Sequence, residues 1–146
     1  MQPKALLIES FRSGTIASLA IIPLSPLFNA AGLRIGHYGP KFAGLFFNDP
    51  QPWLLFVQHI VIGWVSALPL LLILLRTGAR RQPMLAGALY GTAYYIAINS
   101  LALPMYFNDP LPWQLGAATV LPSLIGHVIF GAVIGWTSRR FVAHSS

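Results

Sequence analysis

The sequence predicts an all-α, polytopic membrane protein of four transmembrane helices arranged as two tandem helix–loop–helix repeats. Three observations carry this. Charged residues make up only 8% of the chain and hydrophobic residues 55%, whereas a soluble domain carries about a quarter charged residues. The apolar residues fall into four long charge-free runs. An eight-residue motif between runs occurs twice. A mean hydropathy of +0.66 also excludes a disordered chain, which needs low hydrophobicity. The absence of cysteine excludes a disulfide framework, a thiolate metal site and a cysteine nucleophile. The net charge of +6 forms no basic run, so it reads as topology information rather than as a nucleic-acid surface.

The charge-free runs are 13–33, 50–75, 82–108 and 110–138. A membrane-crossing helix needs about 20 mostly apolar residues, so the expected spans are 13–32, 53–75, 83–105 and 117–137. The first is expected to be a permanent helix rather than a cleaved leader, because Glu9 stands among the N-terminal residues and no small-x-small site follows the run. Pro23, Pro26, Pro69 and Pro122 are expected to break or kink every span but the third. Gly87 and Gly91 give that third span a close-packing face.

Lys4, Arg12, Arg76, Arg80, Arg81, Arg139 and Arg140 fall on one side of a four-span chain. Arg34, Lys41, Asp49 and Asp109 fall on the other. The positive-inside rule then places both termini in the cytoplasm. Trp53 and Trp113 stand where spans begin on the outer side and suit interfacial anchoring. His37 and His144 fall in a loop and a tail, where they are expected to be solvated.

The repeat is Phe46-Phe47-Asn48-Asp49-Pro50-Gln51-Pro52-Trp53, returning as Tyr106-Phe107-Asn108-Asp109-Pro110-Leu111-Pro112-Trp113 with six identical positions. A histidine follows each copy, as His59-x-x-x-Gly63 and His127-x-x-x-Gly131. Repeat 1 covers about 13–76 and repeat 2 about 83–140. Two spans per unit put both units in one orientation, related by an axis along the membrane normal. Asn-Asp-Pro initiates turns. Asp49 and Asp109 are therefore expected to cap the helices that follow, or to form an acidic outer rim.

His59 and His127 are the sharpest functional candidates, since ionisable residues inside a membrane are rare. Three roles stand open for them: a hydrogen bond to a neighbouring helix, a proton-responsive or polar-path role, and ligation of a cofactor such as haem b. On straight helices His59 lies about 9 Å below Trp53 and His127 about 21 Å below Trp113. That mismatch disappears if 114–121 lies flat and Pro122 restarts the helix. Asn29, Asn99 and Gln58 are further intramembrane polar groups, with Tyr94, Tyr95, Ser66 and Ser100 beside them. No metal-binding or nucleotide-binding motif occurs, and the only acids are Glu9, Asp49 and Asp109.

The segments Leu85-Ala86-Gly87-Ala88-Leu89, Pro104, Pro112-Trp113 and Gly126-His127 resemble the second half of the YagU-like bacterial inner-membrane proteins. Gln58-His59-Ile60-Val61 is similar to the histidine-bearing helix of that family's first half. The resemblance covers about residues 54–140. It implies a small multi-span inner-membrane protein, linked in one relative to acid resistance. The chain departs from it in a shorter first loop and in the duplicated Asn-Asp-Pro motif.

The expected function is that of a small non-enzymatic membrane protein, a homo-oligomer or part of a larger membrane complex. It would carry a polar histidine site that responds to protons or passes a solute. The alternative is a haem- or pigment-binding anchor or accessory subunit, and an enzyme acting on lipid or prenyl substrates ranks third.

Overall fold

A computed structural model describes residues 3–33 and 38–145; Arg34 and His37 lie outside the described residues. Among the described residues seven α-helices form: α1 (Pro3–Ile21), α2 (Leu24–Ala30), α3 (Tyr38–Ala43), α4 (Pro52–Arg76), α5 (Pro83–Tyr94), α6 (Leu103–Phe107) and α7 (Ala117–His144). Among the described residues there is no strand. Three stretches are long and apolar enough to cross a membrane: Pro3–Ala30, Pro52–Arg76 and Ala117–His144.

The expected third span differs. Its α-helix ends at Tyr94, the backbone winds as a π-helix from Tyr95 to Ala102, and α6 completes the path. Pro104 has no N–H to give the carbonyl of Ser100, so the i→i+4 ladder fails there; a π-turn lets carbonyls find donors five residues on. The prolines expected to break the other spans do less. Pro69 and Pro122 both lie inside continuous α-helices, and only Pro23 stands at a break, between α1 and α2.

The first span also begins earlier than position 13. Charge marked that boundary, but Glu9 and Arg12 pair with each other (2.6 Å, i,i+3) and the helix runs through them. The last helix starts at Ala117 and passes through Pro122, so 114–121 does not lie flat to a restart at Pro122. Only 112–116 precedes the helix, as a 3-10 turn (Pro112–Gln114) and Gly116 at φ +91°. By rise per residue, His59 then lies about 10 Å into α4 and His127 about 15 Å into α7. The expected depth mismatch shrinks by more than half without vanishing.

Two antiparallel helix pairs form the bundle, α1 on α4 and α5 on α7, and α1 joins them by packing on α7. The distribution of side chains is inverted relative to a soluble bundle. Glu9 and seven serines are buried, alongside glycines and a small apolar cluster of Ala17, Ala67, Leu70, Leu74, Ile134 and Val142. Large apolar side chains such as Leu7, Phe11, Val65, Leu89 and Ile125 point outward. Small and hydroxylated residues inside with large apolar residues outside is the arrangement that packs helices in lipid.

Close approach of backbones fixes both pairs. A Cβ on Gly14 would stand 2.6 Å from the Gly63 carbonyl, and one on Gly63 would strike the Ser18 hydroxyl. In the second pair, a Cβ on Gly87 would strike the Gly131 carbonyl, one on Gly91 the His127 carbonyl, and one on Gly135 the Pro83 carbonyl. Gly14-x-x-x-Ser18 therefore meets His59-x-x-x-Gly63 as Gly87-x-x-x-Gly91 meets His127-x-x-x-Gly131.

The two ends of the bundle carry different charges. At one end Arg12 donates to the Thr137 carbonyl (2.7 Å), which brings Lys4 and Arg12 of α1 beside Arg139 and Arg140 of α7. Arg76, at the end of the antiparallel α4, lies there too. At the other end Lys41 pairs with Asp109 (2.5 Å), tying the two motif-bearing loops together.

Candidate functional site

Histidine, tyrosine and serine side chains from α4, α5, the π segment and α7 meet in the second helix pair. His127 Nδ1–H donates to the Ser123 carbonyl one turn back (2.7 Å). Since a carbonyl can only accept, this fixes the neutral ring with its proton on Nδ1 and its lone pair on Nε2. The ring lies against Tyr94 (centroids 5.8 Å apart, planes 23°) and Tyr95 (5.6 Å, 54°). The Ser66 hydroxyl donates to the Tyr94 hydroxyl (3.2 Å), and Tyr90 donates to the Ser66 carbonyl (2.8 Å). A polar file thus runs from Tyr90 through Ser66 and Tyr94 to His127 and Ser123, inside an apolar shell. The titratable groups next to His127 are Tyr94 and Tyr95, and His59 lies near enough for its charge to act on it.

His59 belongs to the first helix pair. Its Nε2–H donates to the Ser18 carbonyl (3.1 Å), and Ser18 Oγ donates back to the His59 carbonyl (3.4 Å). The two histidines occupy matching crossings but opposite tautomers, and each is satisfied by a backbone carbonyl. Both turn toward a helix interface rather than outward.

The other expected polar residues scatter. Gln58 Nε2 donates to the Gly39 carbonyl (2.9 Å) and holds α3 against α4. Asn29 is exposed on α2. Asn99, on the π segment, lines a small cavity with Tyr95, Thr119 and Ser123. Trp53 and Trp113 are exposed, at 67% and 52%.

Asp49 and Asp109 do not cap helices, contrary to expectation. The N-cap of α4 is Gln51 and that of α7 is Gly116, neither with a capping side chain. The Pro-x-Pro after each Asp is the reason: it moves the first cap two residues on, to Gln51 before α4 and to Leu111 before the 3-10 turn that precedes α7. Asp49 instead accepts from Gln51 Nε2 (3.1 Å), and Asp109 accepts from Lys41. The Asp109 loop gathers Tyr38, stacked on Phe107 (6.0 Å), with Lys41 over the same ring (5.7 Å). Burial, then the neighbouring Asp109 carboxylate, pushes the Tyr38 phenol above its ordinary range. Asp109→Asn removes the carboxylate's share. Tyr38 is then expected to ionise at lower pH than in the parent, though still above a free phenol; tyrosinate absorbance against pH checks this.

Tyr94 and Tyr95 lie against the His127 ring, and His59 and His127 belong to different helix pairs. Among the described residues no cluster of three His, Asp or Glu side chains could hold a metal ion.

Tyr90, Ser18 and Ser123 were not singled out in the sequence. Ser123 had a legible signal, standing one turn before His127 on the same face. Ser18 had another, standing one turn after Gly14. Tyr90 had none, because its partner is a backbone carbonyl on another helix. No family model, curated protein or solved structure matches this chain.

Proposed function

We propose that the chain is a four-span membrane protein of two tandem helix–loop–helix units. Its polar file around His127 responds to protons within the bilayer, without enzymatic chemistry. The fourth span is the 25-residue helical path from Pro83 to Phe107, with the π segment at its middle. The repeat reading is supported by the matched crossings Gly14/Gly63 with Ser18/His59, and Gly87/Gly131 with Gly91/His127. The basic end faces the cytoplasm and the Lys41–Asp109 end faces outward.

The observation that carries the functional reading is His127 itself. Its Nδ1–H is committed to the Ser123 carbonyl, which leaves Nε2 as the nitrogen that can take up a proton, and its ring lies against Tyr94 and Tyr95 in an apolar bundle. Protonation there adds a charge to a low-dielectric site, which its hydroxyl neighbours can solvate only by reorienting. Such a group converts a change of pH into a change of packing between α5 and α7. The three carboxylates do not compete with this reading. Glu9 is tied to Arg12, Asp109 to Lys41, and Asp49 lies exposed at a loop. The YagU-like resemblance adds an acid-tolerance setting.

The test is the ring-carbon NMR shift of each histidine against pH, with the protein in bilayers. The His127 ring-carbon shifts are expected to move with pH as the imidazole takes up a proton. In cells, His127→Gln is expected to erase the pH dependence of acid survival while leaving the protein folded. A His127 that stays neutral throughout, together with unchanged survival profiles in His59→Gln, His127→Gln and the double variant, would leave two structural histidines.

A further inference from the structure

A small cavity stands between the outer loops and His127, and two of its walls are chemically unusual. Its polar lining is Tyr38, Tyr95, Asn99, Thr119 and Ser123, and its volume is ≈ 20 Å³. A cavity holds a water once roughly 10–15 Å³ is open to the centre of a water-sized probe. The first unusual wall is Tyr95. Its side chain is 4% exposed, and its hydroxyl has no hydrogen-bond partner among the described residues. A buried hydroxyl left unpaired is costly, and the other residues lining this cavity include three with hydroxyls and one with an amide. The second is the π segment, which supplies both Tyr95 and Asn99. Tyr95 and Asn99, four residues apart, share one side of this segment, and π turns gather where a helix makes room for a site.

We infer that this cavity is a water site. The water accepts from or donates to the Tyr95 hydroxyl and joins the Asp109 end of the bundle to His127. Ser123 is the link. It lines the cavity, and its carbonyl takes the Nδ1 proton of His127. Tyr95 is a second link, since its ring lies against the His127 ring and the same residue lines the cavity. Water in the cavity is one residue away from the imidazole by either route. The basic end offers no matching route along α7, because below His127 the Gly131 and Gly135 backbones lie against Gly87 and Pro83. His127 is therefore hydrated from one side only. This deepens the proton-responsive reading, on which it rests for the importance of His127, but access and titration are read by separate experiments.

The chain has no cysteine, so a single introduced thiol reports its own surroundings. The probe is the silver ion, close to water in size and specific for thiolates. Ser123→Cys and Ile125→Cys are compared in sealed membrane vesicles; Ile125 is two residues on and faces outward. Silver is added at the Asp109 side or at the basic side, then the protein is denatured and the remaining thiol alkylated. Gln51→Cys and Thr77→Cys, one beyond each end of α4, establish the sidedness of the vesicles. The expected result is full protection of Ser123→Cys from the Asp109 side, none from the basic side, and none of Ile125→Cys from either. Adding Tyr95→Phe to Ser123→Cys is expected to slow protection by about tenfold, one lost hydrogen bond of roughly 1.4 kcal/mol. Protection of Ser123→Cys no faster than Ile125→Cys, or equal from both sides, would overturn the inference. So would a rate that Tyr95→Phe leaves unchanged. A failure here with a titrating His127 removes the route and leaves the proton-responsive reading; silver access with a His127 that never titrates does the reverse.

Discussion

Gly131→Ala is expected to separate α5 from α7, whereas Gly126→Ala on the same helix is expected to be tolerated. The two substitutions add the same methyl group to α7. At Gly126 a Cβ meets nothing within 4 Å, so the change brings only the helix-propensity gain of Ala over Gly, up to about 1 kcal/mol. At Gly131 the Cβ would strike the carbonyl of Gly87, with the backbone nitrogen of Gly91 only 3.0 Å away. Neither atom can rotate aside as a flexible side chain would. The helices must move apart, and the contacts along Gly87/Gly131 and Gly91/His127 open together. Overpacking a core costs about 1–3 kcal/mol when side chains can adjust; against backbone, the upper end of that range is expected. The measurement is the midpoint of unfolding of the purified protein in mild detergent. A Gly131→Ala variant as stable as Gly126→Ala would remove the close crossing. Because His127 sits on the same seam, Gly131→Ala is also expected to disturb its ring-carbon resonances, which Gly126→Ala leaves in place.

That glycine seam shows where a linear reading of the sequence succeeds and where it stops. The apolar runs were legible because absence of charge is a property of each residue alone, and the helices at 52–76 and 117–144 begin within a residue of the expected positions. The Gly-x-x-x-Gly face at 87 and 91 was legible as packing because its spacing is that of one helix turn. The partner of that face was not, since nothing local says that Gly91 will meet the carbonyl of His127. Charge was a misleading boundary for the first span: Glu9 and Arg12 are one turn apart and cancel, so the helix ignores them. The π segment was hidden for a different reason. It lies just before Pro104, but Pro69 and Pro122 lack the same N–H inside continuous α-helices, so no single residue announces it. For the site, both histidines and Asn99 were named from the sequence. The tyrosines and serines that surround His127 were recognised only as scattered polar groups, or not at all, because their partners come from other helices.

The same cancellation makes Arg12 the side chain whose loss should cost most at the basic end. Glu9 is 6% exposed, beneath the outer surface of α1. Arg12 reaches back one turn and grips it with two hydrogen bonds, Nε to Oε2 at 3.0 Å and Nη2 to Oε1 at 2.6 Å. Nη2 also donates across to the Thr137 carbonyl at 2.7 Å, so one guanidinium neutralises a buried carboxylate and ties α1 to α7. Arg12→Ala strands that carboxylate. Breaking a buried pair by removing one partner costs about 3–5 kcal/mol. The Arg12 side chain is 48% exposed, which screens the pair, so the lower end of that range, about 3 kcal/mol, is expected. Arg12→Lys is expected to recover only part, because an ammonium supplies charge but not the planar fork that serves both carboxylate oxygens and Thr137 at once. Glu9→Gln combined with Arg12→Ala is expected to be more stable than Arg12→Ala alone, since it removes the stranded charge and leaves an amide of similar shape. Unfolding midpoints of the parent, Glu9→Gln, Arg12→Ala and the double variant give the coupling between the two positions. If Glu9→Gln does nothing for Arg12→Ala, the carboxylate is solvated and the pair is only a surface contact.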